Sequence, residues 1–258
     1  MAKTMTAPCQ NTGVVKSFCY LLKKDVSLSG PASALVIIPT YNERGNVVRM
    51  VSELEKAVPG IHLLIIDDGS PDGTGQAVKE LQKTKPFLHL IERQGKLGLG
   101  TAYIRGFGWA LEKNYAKVVT MDCDFSHDPV TVNEFLNKLD SHDLVVGSRY
   151  VGGIRIMNWP FHRLLLSYGA SIYTRFITGI PFLDPTGGFN GYTRKSLSSL
   201  KLDQVFSVGY AFQIELKYKV WSLGYPCHEL PIVFWERTEG ASKMGGGIVY
   251  VAMWNVSK

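Results

Sequence analysis

A recurring alternation constrains this chain more than any single residue does. "ALVIIP" is an unbroken apolar run closed by proline, and "NVVRMVSELEKAV" then repeats apolar residues at helical spacing. The same alternation returns in "IHLLIIDDGS" with "GTGQAVKELQK", in "LHLIERQG" with "LGTAYIRGFGWALEK" and in "KVVTMDCD" with "DPVTVNEFLNKL". Successive strand and helix units of this kind predict an α/β domain, its mostly parallel sheet covered by helices on both faces. Open sheets bind ligands beyond the carboxyl ends of their strands. There the chain places "PTYNE", "DDGSPDGT", "GKLGLG" and "DCDFSHD", so four polar loops are expected to converge on one edge.

With 258 residues, 45% of them hydrophobic, the chain can bury a sizeable core. Its net charge of +6 suits an anionic partner: nucleic acid, a phosphorylated substrate or a membrane surface. Nucleic acid fits poorly, because Lys and Arg are spread along the chain, no recognition motif is visible and acidic loops repel phosphate without a cation. Cys9, Cys19, Cys123 and Cys227 show neither a disulfide framework nor zinc-ligand spacing, which points to a reducing compartment. Residues 1–32 read as a flexible or loosely docked extension lacking a signal-peptide core, and 33–258 as the folded domain. No apolar run approaches the ~20 residues of a membrane-spanning helix, so membrane contact is expected to be peripheral.

Asp122 and Asp124, one residue apart at a strand end, can present both carboxylates to one side of a loop. They read either as a solvated turn or as ligands for a hard divalent cation such as Mg²⁺ or Mn²⁺. Asp67, Asp68 and Asp72 end a second strand in the same way, and gathered like charges call for a cation or a donor-rich ligand. Asp67 has an alternative role in fixing the turn. "GKLGLG" is neither a P-loop nor a dinucleotide fingerprint, but Lys96 within it can neutralise a phosphate. On a helix over 163–178, Arg163, Ser167, Ser171, Thr174, Arg175 and Thr178 share one face, and Leu165, Leu166, Ile172, Tyr173, Phe176 and Ile177 the other. Such a helix either packs its apolar face on the protein core or lies on a bilayer.

Taken in order, "IIPTYNE", "IIDDGSPDGT", "GKLGLGTAY", "MDCDFSHDP", "VGSRYVGG", "LDPTGGFNGY" and "FWERTEGASK" resemble the dolichyl-phosphate mannose synthases. These are family-2 glycosyltransferases with the GT-A nucleotide-diphospho-sugar fold. The resemblance covers Ala34 to about Gly247, and the R-x-x-x-x-S-K ending narrows it to the subfamily. It implies inverting, metal-dependent transfer of mannose from GDP-mannose to dolichyl or polyprenyl phosphate. The implied setting is the cytosolic face of a membrane, endoplasmic reticulum or bacterial inner membrane, with small transmembrane subunits as further partners and no nucleic acid.

Carried onto this chain, the resemblance implies that Pro39, Tyr41, Glu43, Ile66 and Asp68 hold the guanosine. It places Asp122, Cys123 and Asp124 at the diphosphate, with Asp122, Asp124 and Ser126 as metal positions. Ser126 stands where some members have Gln, and Cys123 where alanine is common, as a small apolar residue that packs similarly. Arg149, Arg237 and Lys243 match basic residues at the diphosphate and the acceptor phosphate, and Arg163 with Ser167 match the polar face approaching the lipid phosphate. Asp122, Asp124 and Arg149 are the expected catalytic residues. A lipid phosphate is already an anionic nucleophile, so no activated Ser, Cys or His is expected. The rival readings are UDP-glucose as donor, a nucleic-acid-binding protein, and a subunit that binds the donor without chemistry.

Overall fold

The computed structural model describes residues 33–236, apart from 206 and 208. Four strand and helix units run in order: β1 (Ala34–Thr40) and α1 (Arg44–Ala57), β2 (His62–Asp67) and α2 (Thr74–Gln82), β3 (Leu88–Glu92) and α3 (Leu99–Glu112), then β4 (Lys117–Thr120) and α4 (Val132–Lys138). They are followed by β5 (Leu144–Ser148), β6 (Ile156–Met157), α5 (Phe161–Thr178), β7 (Asn190–Thr193), α6 (Arg194–Ser199), α7 (Tyr210–Ser222), β8 (Cys227–Pro231) and β9 (Phe234–Trp235). Seven strands form one sheet in the order β3-β2-β1-β4-β7-β5-β8, and β6 pairs with β9 separately. Within the large sheet only β7 runs against the others. The expected α/β architecture and mostly parallel sheet are therefore present.

Strands buried on both faces explain the sequence runs. In β1, Val36 and Ile38 face one apolar cluster, with Val47, Met50 and Leu54 of α1, while Leu35 and Ile37 face the other, with Tyr103 and Phe107 of α3. From β1 the chain proceeds outward to β2 and β3, then returns to place β4 on the other side of β1. This reversal falls between β1 and β4, and ligands of such sheets usually bind beyond the carboxyl ends of the strands at that point. β4 ends at Thr120, so Asp122 and Asp124 lie in the loop beyond it rather than on the strand itself.

Candidate functional site

Three of the four predicted loops are cross-linked at this edge. The Thr40 hydroxyl donates to Asp67 Oδ1 at 2.9 Å, and Asp67 also accepts from the Ser70 amide at 2.9 Å and the Ser70 hydroxyl at 2.5 Å. Asp67 thus fixes the turn, its structural reading. Asp72 accepts from the amides of Arg44 and Thr74, each at 3.0 Å, and so ties together the starts of α1 and α2. Burial raises the Asp72 pKa, but the Thr74 hydroxyl, the two amides and the Arg44 charge outweigh it and leave the carboxyl below its usual value.

Asp68 is held from the third loop. Arg93 Nε donates to Asp68 Oδ1 at 2.6 Å, while its other nitrogens reach the Thr101 hydroxyl at 2.7 Å and the Gly98 carbonyl at 3.0 Å. Lys96 lies 4.9 Å from the Tyr41 ring, so the glycine loop does reach the same rim. At Gly69, whose φ is +67°, a β-carbon would stand 2.9 Å from the Gly95 amide nitrogen, and only glycine permits that approach. Pro39, Tyr41 and Glu43 are half-buried along this edge. Ile66 is wholly buried against α3, so its side chain packs the core and only its main chain is left for a ligand.

Beyond β4, Cys123 points inward and joins the core cluster on the α1 side, as a small apolar residue should. Burial, followed by the nearby Glu43, Asp124 and Asp122 charges, pushes its thiol pKa well up, so it is no nucleophile. Asp124 Oδ1 accepts from the Ser126 amide at 3.0 Å. Ser126 is 1% exposed and its hydroxyl has no hydrogen-bond partner. Phe125 between them takes the left-handed conformation, φ 58°, under the Arg49 guanidinium at 4.4 Å. Beneath the loop lies the fully buried Tyr103, whose hydroxyl is also unpartnered. Burial first, then Asp122, Tyr192 and Asp124, raises that phenol well above its usual pKa.

Arg149 follows β5 and spreads its fork on Asp184, with Nε to Oδ2 at 2.6 Å and an Nη to Oδ1 at 2.7 Å. A further bond reaches the Thr186 hydroxyl at 3.0 Å. Asp184 is fully buried. Burial raises its pKa, but the Arg149 charge and hydrogen bonds and the Lys217 charge prevail and keep it low. The Asp184 and Leu183 amides donate to Glu229 at 2.9 and 3.0 Å, and Lys217 donates to the carbonyls of Pro185 and Gly187 at 2.9 and 2.6 Å.

The loop "DPTGGF" joins the two charged groups. A β-carbon on Gly187 would lie 3.5 Å from Asp184 Oδ2, and one on Gly188 would lie 3.9 Å from Asp122 Oδ2. The structure thereby brings Arg149 and Asp122 to opposite ends of one short loop. Asp184, Lys217, Tyr103 and Arg93 were not singled out from the sequence. Only Asp184 carries a readable sign, an acid set within the apolar "PFLDPTGGF".

α5 turns its faces the unusual way round. Ser171 and Thr174 are buried against the protein, whereas Phe161 is 77%, Leu165 60% and Phe176 85% exposed. The Tyr150 hydroxyl donates to Ser167 Oγ at 2.8 Å, linking the helix to the residue after Arg149. Arg163 bonds Glu236 at 2.6 Å and lies 4.0 Å over the Trp159 ring. The Trp235 amide donates to the Ser126 carbonyl at 3.1 Å, so β9 is tied to the aspartate loop. Arg237 and Lys243 lie outside the described residues.

A model of the family described as glycosyl transferase family 2 matches residues 35–201. Polyprenol monophosphomannose synthase of Mycolicibacterium smegmatis is 44% identical over 226 residues, 87% of this chain and 85% of that protein. Undecaprenyl-phosphate mannosyltransferase of Micrococcus luteus is 42% identical over 224 residues, 87% of this chain and 92% of that protein. Among solved structures, glucosyl-3-phosphoglycerate synthase from Mycobacterium tuberculosis, with Mn²⁺, uridine diphosphate and phosphoglyceric acid, superposes with a TM-score of 0.63. That match has 18% identity and spans 86% of this chain and 78% of that one. A second structure of that enzyme, with Mg²⁺ and uridine diphosphate, gives 0.60 at 19% identity, over 81% and 72% of the two chains. The fold of this chain is the GT-A glycosyltransferase fold.

Proposed function

This chain belongs to glycosyl transferase family 2, and from that membership we propose that it moves mannose from GDP-mannose to the phosphate of a polyprenyl phosphate, dolichyl phosphate included. The relatives named above support the mannosyl group and the lipid acceptor. The observation that carries the reading is the inverted helix α5. Its apolar face is open to a bilayer, and its inner face is bonded through Tyr150 to the strand end bearing Arg149. Among the described residues no helix is long and apolar enough to cross a membrane. A long lipid acceptor is then met at the membrane surface.

The donor set fits a hard divalent cation, Mg²⁺ or Mn²⁺. Asp122 and Asp124 would supply carboxylate oxygens, and Ser126, whose buried hydroxyl has no hydrogen-bond partner and whose amide bonds Asp124, belongs to the same loop. A cation of this kind is usually held by one or two carboxylates together with substrate phosphates, so the diphosphate would supply further oxygens. A cation there supplies charge stabilisation to the departing diphosphate. Pro39, Tyr41, Glu43, Asp68 and the main chain at Ile66 bind and orient the nucleoside. Arg149, fixed by Asp184, and Arg163 face the anionic acceptor, with Arg237 and Lys243 completing the set in this proposal. The acceptor phosphate oxygen bonds to the anomeric carbon as the bond to the diphosphate breaks, inverting the configuration. No side chain need activate the nucleophile.

Purified protein incubated with radiolabelled GDP-mannose and polyprenyl phosphate should place label in the lipid fraction. Label entering lipid only from UDP-glucose would replace the donor with the rival one, and no transfer from either would leave a donor-binding subunit.

A further inference from the structure

The opposite edge of the sheet, where β2 and β3 begin, carries a polar cluster that sugar transfer does not use. His62 opens β2, His89 is the second residue of β3, and Tyr115 lies between α3 and β4. His62 Nδ1 is 2.6 Å from the Tyr115 hydroxyl and 3.5 Å from His89 Nε2, and the hydroxyl is 3.5 Å from that same His89 nitrogen. With Gln82, Leu90, Trp109 and Lys113, these residues line an open cavity of about 460 Å³.

We propose that His62, His89 and Tyr115 form a binding site for a transition-metal ion, best suited to Zn²⁺. A triangle of donor atoms with these sides admits an ion about 2.1 Å from every corner, the ordinary zinc to nitrogen distance, and loss of the short His62–Tyr115 hydrogen bond on binding lets its one narrow angle open towards tetrahedral. Imidazole is a preferred ligand for zinc, and the open cavity leaves water as the fourth.

Binding forms the bond from zinc to the phenolate oxygen as the phenol O–H bond and its hydrogen bond to His62 break, and the proton goes to solvent. The rings are held in place by Trp109, 4.9 Å from His89 and stacked on Tyr115 at 5.6 Å. Lys113 opposes a cation, but its side chain is exposed and free to swing into water. The site lies at the other end of the strands from Asp122 and Asp124, and its nitrogen donors choose a softer ion than the carboxylates there. A bound ion would fasten β2, β3 and the segment before β4 together.

The test is calorimetric titration of the full chain with Zn²⁺ in excess Mg²⁺, run in two buffers of different ionisation enthalpy. The expected result is a site that releases one proton and weakens at least ~10-fold in both His62→Ala and His89→Ala, since losing even an outer-shell partner costs that much. Tyr115→Phe should bind more weakly without proton release. His142→Ala, which breaks the other histidine pair, with ring centroids 5.0 Å apart, should bind as wild type does. Melting curves check that each variant is folded. Equal Zn²⁺ affinity in wild type, His62→Ala and His89→Ala would overturn the proposal, as would a loss confined to His142→Ala.

Discussion

Arg149 and Asp184 form a buried pair, and removing either half leaves the other charge without compensation where water does not reach it. Asp184→Ala should therefore cost about 3–5 kcal/mol of stability and disturb transfer through the loss of Arg149 geometry. Asp122→Asn keeps its shape in a half-buried loop, so transfer should fall by ~10²-fold or more while the unfolding midpoint stays near wild type. Equal midpoints for the two variants in urea would remove the distinction between holding a charge and using one. Lys217 adds a pH effect. Burial lowers its pKa from 10.5 to about 7, with Asp184 pulling the other way. Between these values the unfolded chain binds more protons than the folded one, so stability rises with pH across that window and is lost again as pH falls towards 7. Lys217→Met should flatten this part of the profile, and an unchanged slope in urea midpoints from pH 7 to 10 would show that Lys217 does not titrate there. Pairs of this kind are poorly legible in a sequence. Asp122 and Asp124 were marked by a strand that ends in acids, whereas Arg93 with Asp68 and Arg149 with Asp184 lie 25 and 35 residues apart, and only the fold joins them.

The elements read well where burial sets the pattern. Strands β1 to β4 and helices α1 to α4 follow from apolar runs and helical spacing because their faces meet the core directly. The reversal of β7 is not legible in the sequence, since "NGYT" carries no mark of direction. Helix α5 was legible as amphipathic, but which face turns inward is a tertiary fact. Ser171 and Thr174 face the protein, and the inner side is held by bonds such as that from Tyr150 to Ser167. An apolar face turned outward wants a non-aqueous neighbour. Burying a Leu or Phe side chain is worth about 1.5–3 kcal/mol, so a Leu165→Asp/Phe176→Asp protein should partition onto liposomes on the order of 10²-fold less well. Its melting temperature should hold, because neither side chain packs the core. Val48, 44% exposed on α1, supplies the control, and Val48→Asp should sediment with vesicles as wild type does. Undiminished sedimentation of the double variant would take α5 out of membrane contact.

Across the whole molecule, a net charge of +6 coexists with an acidic strand edge. The excess positive charge favours an anionic donor in general, while the local field of Asp122 and Asp124 repels its diphosphate. These opposed effects are reconciled by a cation between carboxylates and phosphates, and the reconciliation has a consequence that does not depend on turnover. A ligand that binds only the folded state stabilises it by about 2.7 kcal/mol at 100 times its Kd, which for a chain of this size raises Tm on the order of 5–10 °C. GDP with Mg²⁺ or Mn²⁺ should give such a shift, and chelation with EDTA should abolish most of it, since the diphosphate then meets the two carboxylates with no cation between them. Replacing both acids in Asp122→Asn/Asp124→Asn removes the repulsion together with the cation site, so GDP should protect that protein weakly and to the same extent with or without EDTA. If GDP protects the wild type equally in EDTA and in Mg²⁺, the carboxylates do not reach the diphosphate through a cation, and the acidic edge has to be reassigned to orienting the sugar.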